Sequence, residues 1–183
     1  MNMKWLVRSQ SMVTLASGMI YPYYLLFLKN LGNSFSKYGL AFAVFTISSA
    51  AASQWLAPRM DSYARQWLIL SSLGMAGTMI AFPWITTYIW VLLLQMIMGL
   101  CNAMQRMSER VLLADFTEPG KRGKAIGNYH FWTSAASGFA VIIGGLLIDW
   151  LTIDVLFYLS AVLYVWGSLA VWRSIQLPVK DHR

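Results

Sequence analysis

The chain has 183 residues, of which 58% are hydrophobic and 11% charged, and its net charge is +7. Soluble domains carry about 25% charged residues, so this composition excludes an ordinary water-soluble protein. The basic residues are scattered over short segments rather than clustered, which argues against a nucleic-acid partner. The single cysteine, Cys101, excludes a disulfide framework and a thiolate metal site.

Five long runs of the chain contain no Asp, Glu, Lys or Arg. They are residues 9–28, 38–58, 66–105, 125–148 and 155–172. A helix needs about 20 apolar residues to cross the hydrocarbon, and the third run, with 40 residues, is long enough for two crossings. Pro83, Thr86 and Thr87 supply turn chemistry near its middle. The sequence therefore predicts an all-α, polytopic membrane protein with six transmembrane helices.

The predicted bundle covers residues 1–172, and residues 173–183 form a tail. Its six helices are predicted at about residues 9–28, 38–57, 67–85, 88–105, 126–148 and 154–172. The chain has two histidines and no metal-ligand cluster, nucleophile elbow or phosphate-binding glycine loop. We therefore expect neither an enzyme nor a cofactor or metal.

The basic residues decide the orientation of the bundle. With six spans both termini lie on the same side, and placing them inside assigns 12 of the 14 basic residues to the cytoplasm. Only Lys29 and Lys37 then face outward. This bias agrees with the positive-inside rule, so we expect cytoplasmic termini and a multi-pass protein of the plasma membrane.

Polar residues follow one helical face in two of the predicted spans. In the first they recur at steps of four and three residues, and the fourth adds two amides; the set is Gln10, Thr14, Ser17, Tyr21, Tyr24, Gln95 and Asn102. A polar face turns away from lipid, which predicts a substrate pathway suited to a neutral or aromatic-contacting solute rather than a small anion. The alternative is that these groups only join neighbouring helices, each for about 0.6 kcal/mol.

The second and fifth predicted helices are rich in Gly, Ala and Ser. Small residues let another helix approach closely, so both helices are predicted contact surfaces for a large partner. His130 begins the fifth helix and is a candidate proton relay, because a histidine titrates near neutral pH. A purely hydrogen-bonding histidine is the alternative.

The segment APRMDSYARQ, residues 57–66, resembles the loop signature G-x-L-a-D-r-x-G-R-K of the major facilitator superfamily. Asp61 and Arg65 match the acidic and basic positions, whereas Ala57 and Ala64 replace both glycines. The resemblance implies that Arg59, Asp61 and Arg65 form a gating loop between two halves. In the family such an acidic residue faces a helix N-terminus of the other half; pairing of Asp61 with Arg59 or Arg65 is the alternative.

A second segment, ADFTEPGKRGKAIG at residues 114–127, resembles the family's loop A-D-x-x-P-x-x-x-R-G-x-A-x-G. Asp115 and Arg122 match the acidic and basic positions of this pattern, and Pro119 is shifted by one position. The resemblance implies that Asp115 and Arg122 also belong to the gating residues. The fourth helix departs from many family members, because Gln95 replaces an Arg four residues before Gly99.

Two further departures concern transport chemistry. The fifth helix lacks the Gly-Pro of the antiporter pattern before Gly144, and no carboxylate lies inside a predicted span, since Asp154 stands at the very start of the sixth. An intramembrane carboxylate is the usual proton carrier of a coupled pump. A proton carrier is therefore not expected from these six helices.

Members of this family usually have twelve helices in two halves, with the substrate site between them. The chain resembles the N-terminal half, and its tail resembles the start of the linker. The resemblance implies a permease module that moves a small solute by alternating access, with lipid, the solute and a second six-helix half as partners. That half is either a second copy or a separately encoded chain; the alternative is a truncated or accessory membrane protein without transport activity.

Overall fold

The computed structural model describes residues 3–24, 27, 34–118 and 120–176. Lys29, Pro119 and residues 177–183 of the predicted tail lie outside the described residues. Over the described ranges every regular element is helical, which confirms the all-α prediction. The elements are α1 (Met3–Ile20), α2 (Phe35–Ala81), a 3₁₀ turn (Phe82–Trp84), α3 (Tyr88–Asp115), α4 (Arg122–Trp150) and α5 (Ile153–Gln176).

Helix α2 is interrupted at one residue. Tyr63 has φ −130° and ψ 20°, which is not helical, and it divides α2 into α2a, residues 35–62, and α2b, residues 64–81. The segment 57–66, predicted as a loop, is therefore helical on both sides of Tyr63. The helices extend this far because Met60 and Ala64 are buried beside the tyrosine, so both turns pack inside the bundle.

The two halves of α2 run along α3 in opposite directions. In α2a, Phe45 lies beside Gly99, and Met60, further along α2a, accepts a hydrogen bond from Ser108, further along α3.

In α2b the order is reversed. Ser71 donates a hydrogen bond to Gln105, whereas Gly74, further along α2b, lies beside Cys101, which comes earlier in α3. The chain therefore reverses its direction at Tyr63.

The long apolar run between residues 66 and 105 also contains a break. Helix α2 ends at Ala81, Pro83 lies in the 3₁₀ turn, and α3 begins at Tyr88 after Thr87. The break falls where proline and the threonines disfavour a continuous helix.

Four helices of the described chain are long and apolar enough to cross a membrane: Phe35–Trp84, Tyr88–Asp115, Arg122–Trp150 and Ile153–Ser174. The first of them has 50 residues, about twice what one crossing needs.

Helix α1 packs against α4 and α5 through small residues. Gly144 lies so close to Met19 that an added Cβ would be 2.9 Å from its carbonyl oxygen. The Ser9 hydroxyl donates to the Gly167 carbonyl at 2.9 Å, and the Ser160 hydroxyl donates to the Ala16 carbonyl at 3.0 Å. These contacts fix α1 in the bundle against α4 and α5.

Candidate functional site

Gln10 is buried at the centre of the bundle. It is 2% exposed, and its Oε1 accepts a hydrogen bond of 2.8 Å from Gln105 Nε2. Gln105 Oε1 in turn accepts from the Ser71 hydroxyl at 2.5 Å. Gln10 therefore joins α1 to α3 and α2b. Its Nε2 has no hydrogen-bond partner among the described residues.

Two other predicted pathway residues of α1 bond to their own helix. The Thr14 hydroxyl donates to the Gln10 carbonyl at 2.7 Å, and the Ser17 hydroxyl donates to the Thr14 carbonyl at 3.1 Å. Both side chains are half-buried. Their hydroxyl protons are thus already used inside the helix.

The two tyrosines predicted on the same face lie beyond the end of α1, which stops at Ile20. Tyr24 is half-buried, and its hydroxyl accepts a hydrogen bond of 2.6 Å from Gln95 Nε2. Gln95 is 5% exposed. Tyr21, by contrast, is 63% exposed. The turn after Ile20 therefore directs the two rings into different surroundings.

Asn102 lies at the edge of the contact between α3 and α2a. Its Nδ2 donates to the Ser49 hydroxyl at 2.9 Å, and its Oδ1 accepts from Arg106 Nε at 3.2 Å. Asn102 is half-buried, and Arg106 is exposed. Asn102 and Arg106 thus form a polar surface that stays open among the described residues.

The predicted pathway residues therefore differ in their surroundings. Gln10, Gln95 and Tyr24 are tied into contacts between helices, and Thr14 and Ser17 bond within α1. Asn102 lies at the open polar surface, and Tyr21 is exposed.

The predicted gating residue Asp61 is exposed. The one ion pair found among the described residues joins Lys121 to Glu118 at 2.8 Å, so Asp61 pairs with neither Arg59 nor Arg65. Arg59 instead places its guanidinium 5.5 Å from the ring centre of Trp55. The Asp61 carboxylate is therefore available to a group outside the described chain.

The second implied gating segment is also exposed. Asp115 ends α3 and Arg122 begins α4, and both side chains are open to solvent. Between them, Lys121 lowers the pKa of the Glu118 carboxyl through a hydrogen bond and its charge, and Glu118 raises the pKa of Lys121 in the same way. An exposed pair of this kind adds little stability.

His130 lies on the outer face of α4, where a ring nitrogen is 3.5 Å from the Ser134 hydroxyl. This contact joins two residues of the same helix one turn apart. It links His130 to no other helix.

Three polar residues of the site do not follow from the sequence pattern alone. Gln105 bonds to both Gln10 and Ser71, yet it lies off the helical face that joins Gln95 to Asn102. Ser49 fixes Asn102 from α2a. Glu109 interacts with the Tyr129 hydroxyl of α4 and with the charge of Arg106. Only the partner helix gives each of them its role, and a single sequence does not specify which helices meet.

Comparison with known proteins agrees with this architecture. The family model described as Major Facilitator Superfamily matches residues 8–183. The chain belongs to this superfamily. It is accordingly a multi-pass membrane protein of transporter type, and not an enzyme.

One relative in the superfamily is the "Uncharacterized MFS-type transporter YitZ" of Bacillus subtilis (strain 168). It is 41% identical over 162 residues, which are 87% of this chain and 98% of that protein. The relative therefore has about the length of this superfamily member.

Proposed function

We propose that the chain is one half of a major-facilitator permease, which moves a small solute by alternating access between two six-helix bundles. In this proposal α1, α2a, α2b, α3, α4 and α5 all cross the plasma membrane, with both termini in the cytoplasm. The reversal of the chain at Tyr63 supports two separate crossings within α2.

The observation that carries the proposal is the open polar surface formed by Asn102 and Arg106. Polar and charged groups within membrane-spanning segments face a bundle interior or a water-filled cavity. This surface stays open among the described residues, so a second bundle is needed to enclose it. In the superfamily architecture, substrate sites lie at such an interface between halves.

Small residues on two helices support the position of that second bundle. An added Cβ at Gly138 on α4 would meet nothing within 4 Å, and Ser134, one turn away, is exposed. On α2a, Ala50 and Ala57 are likewise exposed. Glycines inside the bundle, by contrast, lie at close helix crossings, as Gly144 does. We infer that α2a and α4 form the seam with the second bundle.

A second copy of the chain is a suitable source of that bundle. Halves of this fold are related by an axis along the membrane normal, and a two-fold axis in that direction is the symmetry of a parallel dimer. The match over 98% of the Bacillus subtilis relative shows a second superfamily protein of this length. A separately encoded half would serve the same purpose.

The proposal includes a pathway and a set of gates. The pathway residues are Gln10, Thr14, Ser17, Tyr21, Tyr24, Gln95 and Asn102, and the gating residues are Arg59, Asp61, Arg65, Asp115 and Arg122. His130 stays a candidate proton relay. The free carboxylate of Asp61 supports a contact with a helix N-terminus of the second bundle, where partial positive charge favours an anion.

The test compares solute profiles of cells that overexpress the chain, cells that lack it, and cells that express Gly138→Trp. We expect the internal concentration of at least one small solute to change with the native chain and not with Gly138→Trp. A Cβ added at Gly138 meets nothing within 4 Å, and in the proposal the tryptophan fills the seam. Identical profiles in all three strains would contradict transport and favour an accessory protein without transport activity.

A further inference from the structure

We propose that α2b and α5 hold an anionic phospholipid on the outer surface of the bundle. One acyl chain lies in an apolar groove between the two helices, and the phosphate of the head group binds Arg173 at one end of that groove. This inference goes beyond the permease function, because it assigns a lipid site to a face that takes no part in the proposed seam.

The groove has a volume of about 380 Å³ and lies between α2b and α5. Ile80 of α2b forms one wall, and the α5 side runs from Tyr158 to Leu169. Ala161 lines the groove and is buried, whereas Ile80 and Trp166 are exposed. Every lining side chain is apolar or aromatic. The groove is therefore open to the surroundings of the bundle and offers them no charge.

The length of the groove fits the hydrocarbon of one membrane leaflet. Tyr158 and Leu169 are about 16 Å apart along α5 at 1.5 Å per residue, and half of the hydrocarbon core is about 15 Å thick. The segment Ile153–Ser174 is long and apolar enough to cross a membrane. In a multi-pass membrane protein, an acyl chain of one leaflet can therefore lie along the whole groove.

Arg173 continues the groove side of α5 toward the end of this segment. It follows Leu169 by four residues, a spacing that places two side chains on the same helical face. Its side chain is exposed, whereas Val171 and Ser174 are buried. Arg173 therefore lies one turn beyond the groove, at the end of the apolar segment, where lipid head groups begin.

The guanidinium of Arg173 is available to a phosphate. Within the ranges that the structure describes, the one ion pair joins Lys121 to Glu118, so Arg173 has no acidic partner there. Arginine binds phosphate through two parallel hydrogen bonds. A phosphate one helical turn beyond the apolar lining would have its charge neutralised while its acyl chain stays in the groove.

A second basic residue lies at the same end of the opposite wall. Leu68 of α2b and Val171 of α5 belong to one buried cluster, and the proposed gating residue Arg65 comes one turn before Leu68. Basic pockets between membrane helices bind anionic head groups. The positive charge at this end therefore favours an anionic phospholipid over a zwitterionic one.

The walls of the groove suit a lipid chain better than a second copy of this chain. Trp166 and Ile80 are large and exposed, whereas close helix contacts in membranes use small residues. The proposed seam with a second bundle lies on α2a and α4, which do not line the groove. A flexible acyl chain can follow the uneven surface that these large side chains leave.

The test measures binding of dioleoyl phosphatidylglycerol and dioleoyl phosphatidylcholine to the delipidated full chain in detergent by native mass spectrometry. The two lipids have the same acyl chains and differ in the charge of the head group. We expect the first phosphatidylglycerol to bind about fivefold more tightly than phosphatidylcholine. Arg173→Gln is expected to bring this ratio close to one, and Arg173→Lys to retain most of it.

Arg110→Gln is the matched control for the charge. Arg110 is an exposed arginine on α3, and Leu112 of the same helix shares the buried cluster of Val171, so Arg110 lies at the same end of the bundle. Helix α3 does not line the groove. We expect Arg110→Gln to keep the native ratio, because a preference caused by general surface charge would fall equally in both variants.

Val162→Trp tests the part of the site that holds the acyl chain. Val162 lines the groove and is 55% exposed, and the larger ring is expected to occupy the groove. Binding of both lipids should weaken by about fourfold or more, which corresponds to the loss of about one buried methylene group. Leu70→Trp is the control, because Leu70 is exposed on α2b outside the groove, and it is expected to bind lipid as the native chain does.

A ratio near one in the native chain, or equal ratios in Arg173→Gln and Arg110→Gln, would overturn the lipid site. Unchanged binding in Val162→Trp would also overturn it. Dimers of the native chain that Val162→Trp dissociates would show that a second copy occupies the groove instead. Because the measurement does not read transport, the lipid site and the permease function can fail separately.

Discussion

Gln105 Nε2 donates a hydrogen bond of 2.8 Å to Gln10 Oε1 at the centre of the bundle, and this contact joins α3 to α1. In the hydrocarbon an amide pair of this kind stabilises helix association, because neither partner has water as an alternative. The Gln10 Nε2 beside this contact has no hydrogen-bond partner among the described residues.

We expect Gln10→Leu and Gln105→Leu each to lower the free energy of unfolding, and the double variant to show a coupling between them. The coupling should be about 0.6 kcal/mol and at most about 1.7 kcal/mol, as for other hydrogen bonds within membranes. Unfolding in mixed micelles measures it. Gln54→Leu is the control, because Gln54 is exposed on α2a. If the effects of the two variants are additive, the hydrogen bond between Gln10 and Gln105 contributes nothing to the free energy of unfolding.

Glycine substitutions separate the bundle interior from the proposed seam. A Cβ at Gly99 would lie 2.5 Å from the Phe45 carbonyl oxygen, whereas one at Gly138 would meet nothing within 4 Å. We expect Gly99→Ala to cost about 1–3 kcal/mol of unfolding free energy through overpacking, and Gly138→Ala to stay within about 0.5 kcal/mol of the native chain. Thermal melts in detergent compare them. Equal melting temperatures would contradict the close crossing of α2a and α3.

The two tyrosines after α1 should respond differently to loss of the hydroxyl. Tyr24→Phe leaves Gln95 Nε2 buried without its partner, which we expect to cost about 1–3 kcal/mol of unfolding free energy. Tyr21→Phe changes an exposed ring and should stay within about 0.5 kcal/mol. The reverse order of stability would show that the turn after Ile20 places the rings differently.

Asp61→Asn should slow solute movement without changing the stability of the bundle. The carboxylate is exposed and has no ion-pair partner among the described residues, so in the proposed permease the substitution removes only the proposed contact with the second bundle. Loss of a carboxylate at a helix N-terminus is expected to reduce the rate by about fivefold. Transport of the solute identified by profiling measures this.

The control for Asp61→Asn is Glu118→Gln. This variant removes an exposed carboxylate that pairs with Lys121 in the loop between α3 and α4. We expect no change in rate for this variant. An equal loss of rate in both variants would mean that Asp61 acts through general surface charge.

The sequence predicted the helical class because charge-free runs of this length have few alternatives in a membrane. Proline and threonine chemistry also marked the region of Pro83, where the structure has its 3₁₀ turn. The reversal at Tyr63 was harder to anticipate. The turn needs one non-helical residue, whereas the charged segment around it reads as a longer loop.

The polar residues show the same limit. Helical spacing places Gln10 and Asn102 on polar faces, yet it does not specify which neighbour each face meets. The structure shows that Gln10 meets Gln105 and that Asn102 meets Ser49. The direction of Arg106 likewise depends on a side-chain hydrogen bond, which spacing alone does not determine.

The most direct test of the permease half is disulfide cross-linking across the seam in native membranes. A cysteine replaces Gly138, and Val162→Cys on the exposed face of α5 is the matched lipid-facing control. The native Cys101 is buried, so the unmodified chain serves as the background. We predict that Gly138→Cys forms a cross-linked dimer of this chain, or an adduct with a separately encoded half, whereas Val162→Cys stays monomeric. A monomer at Gly138→Cys, or equal cross-linking at both positions, would contradict the second bundle.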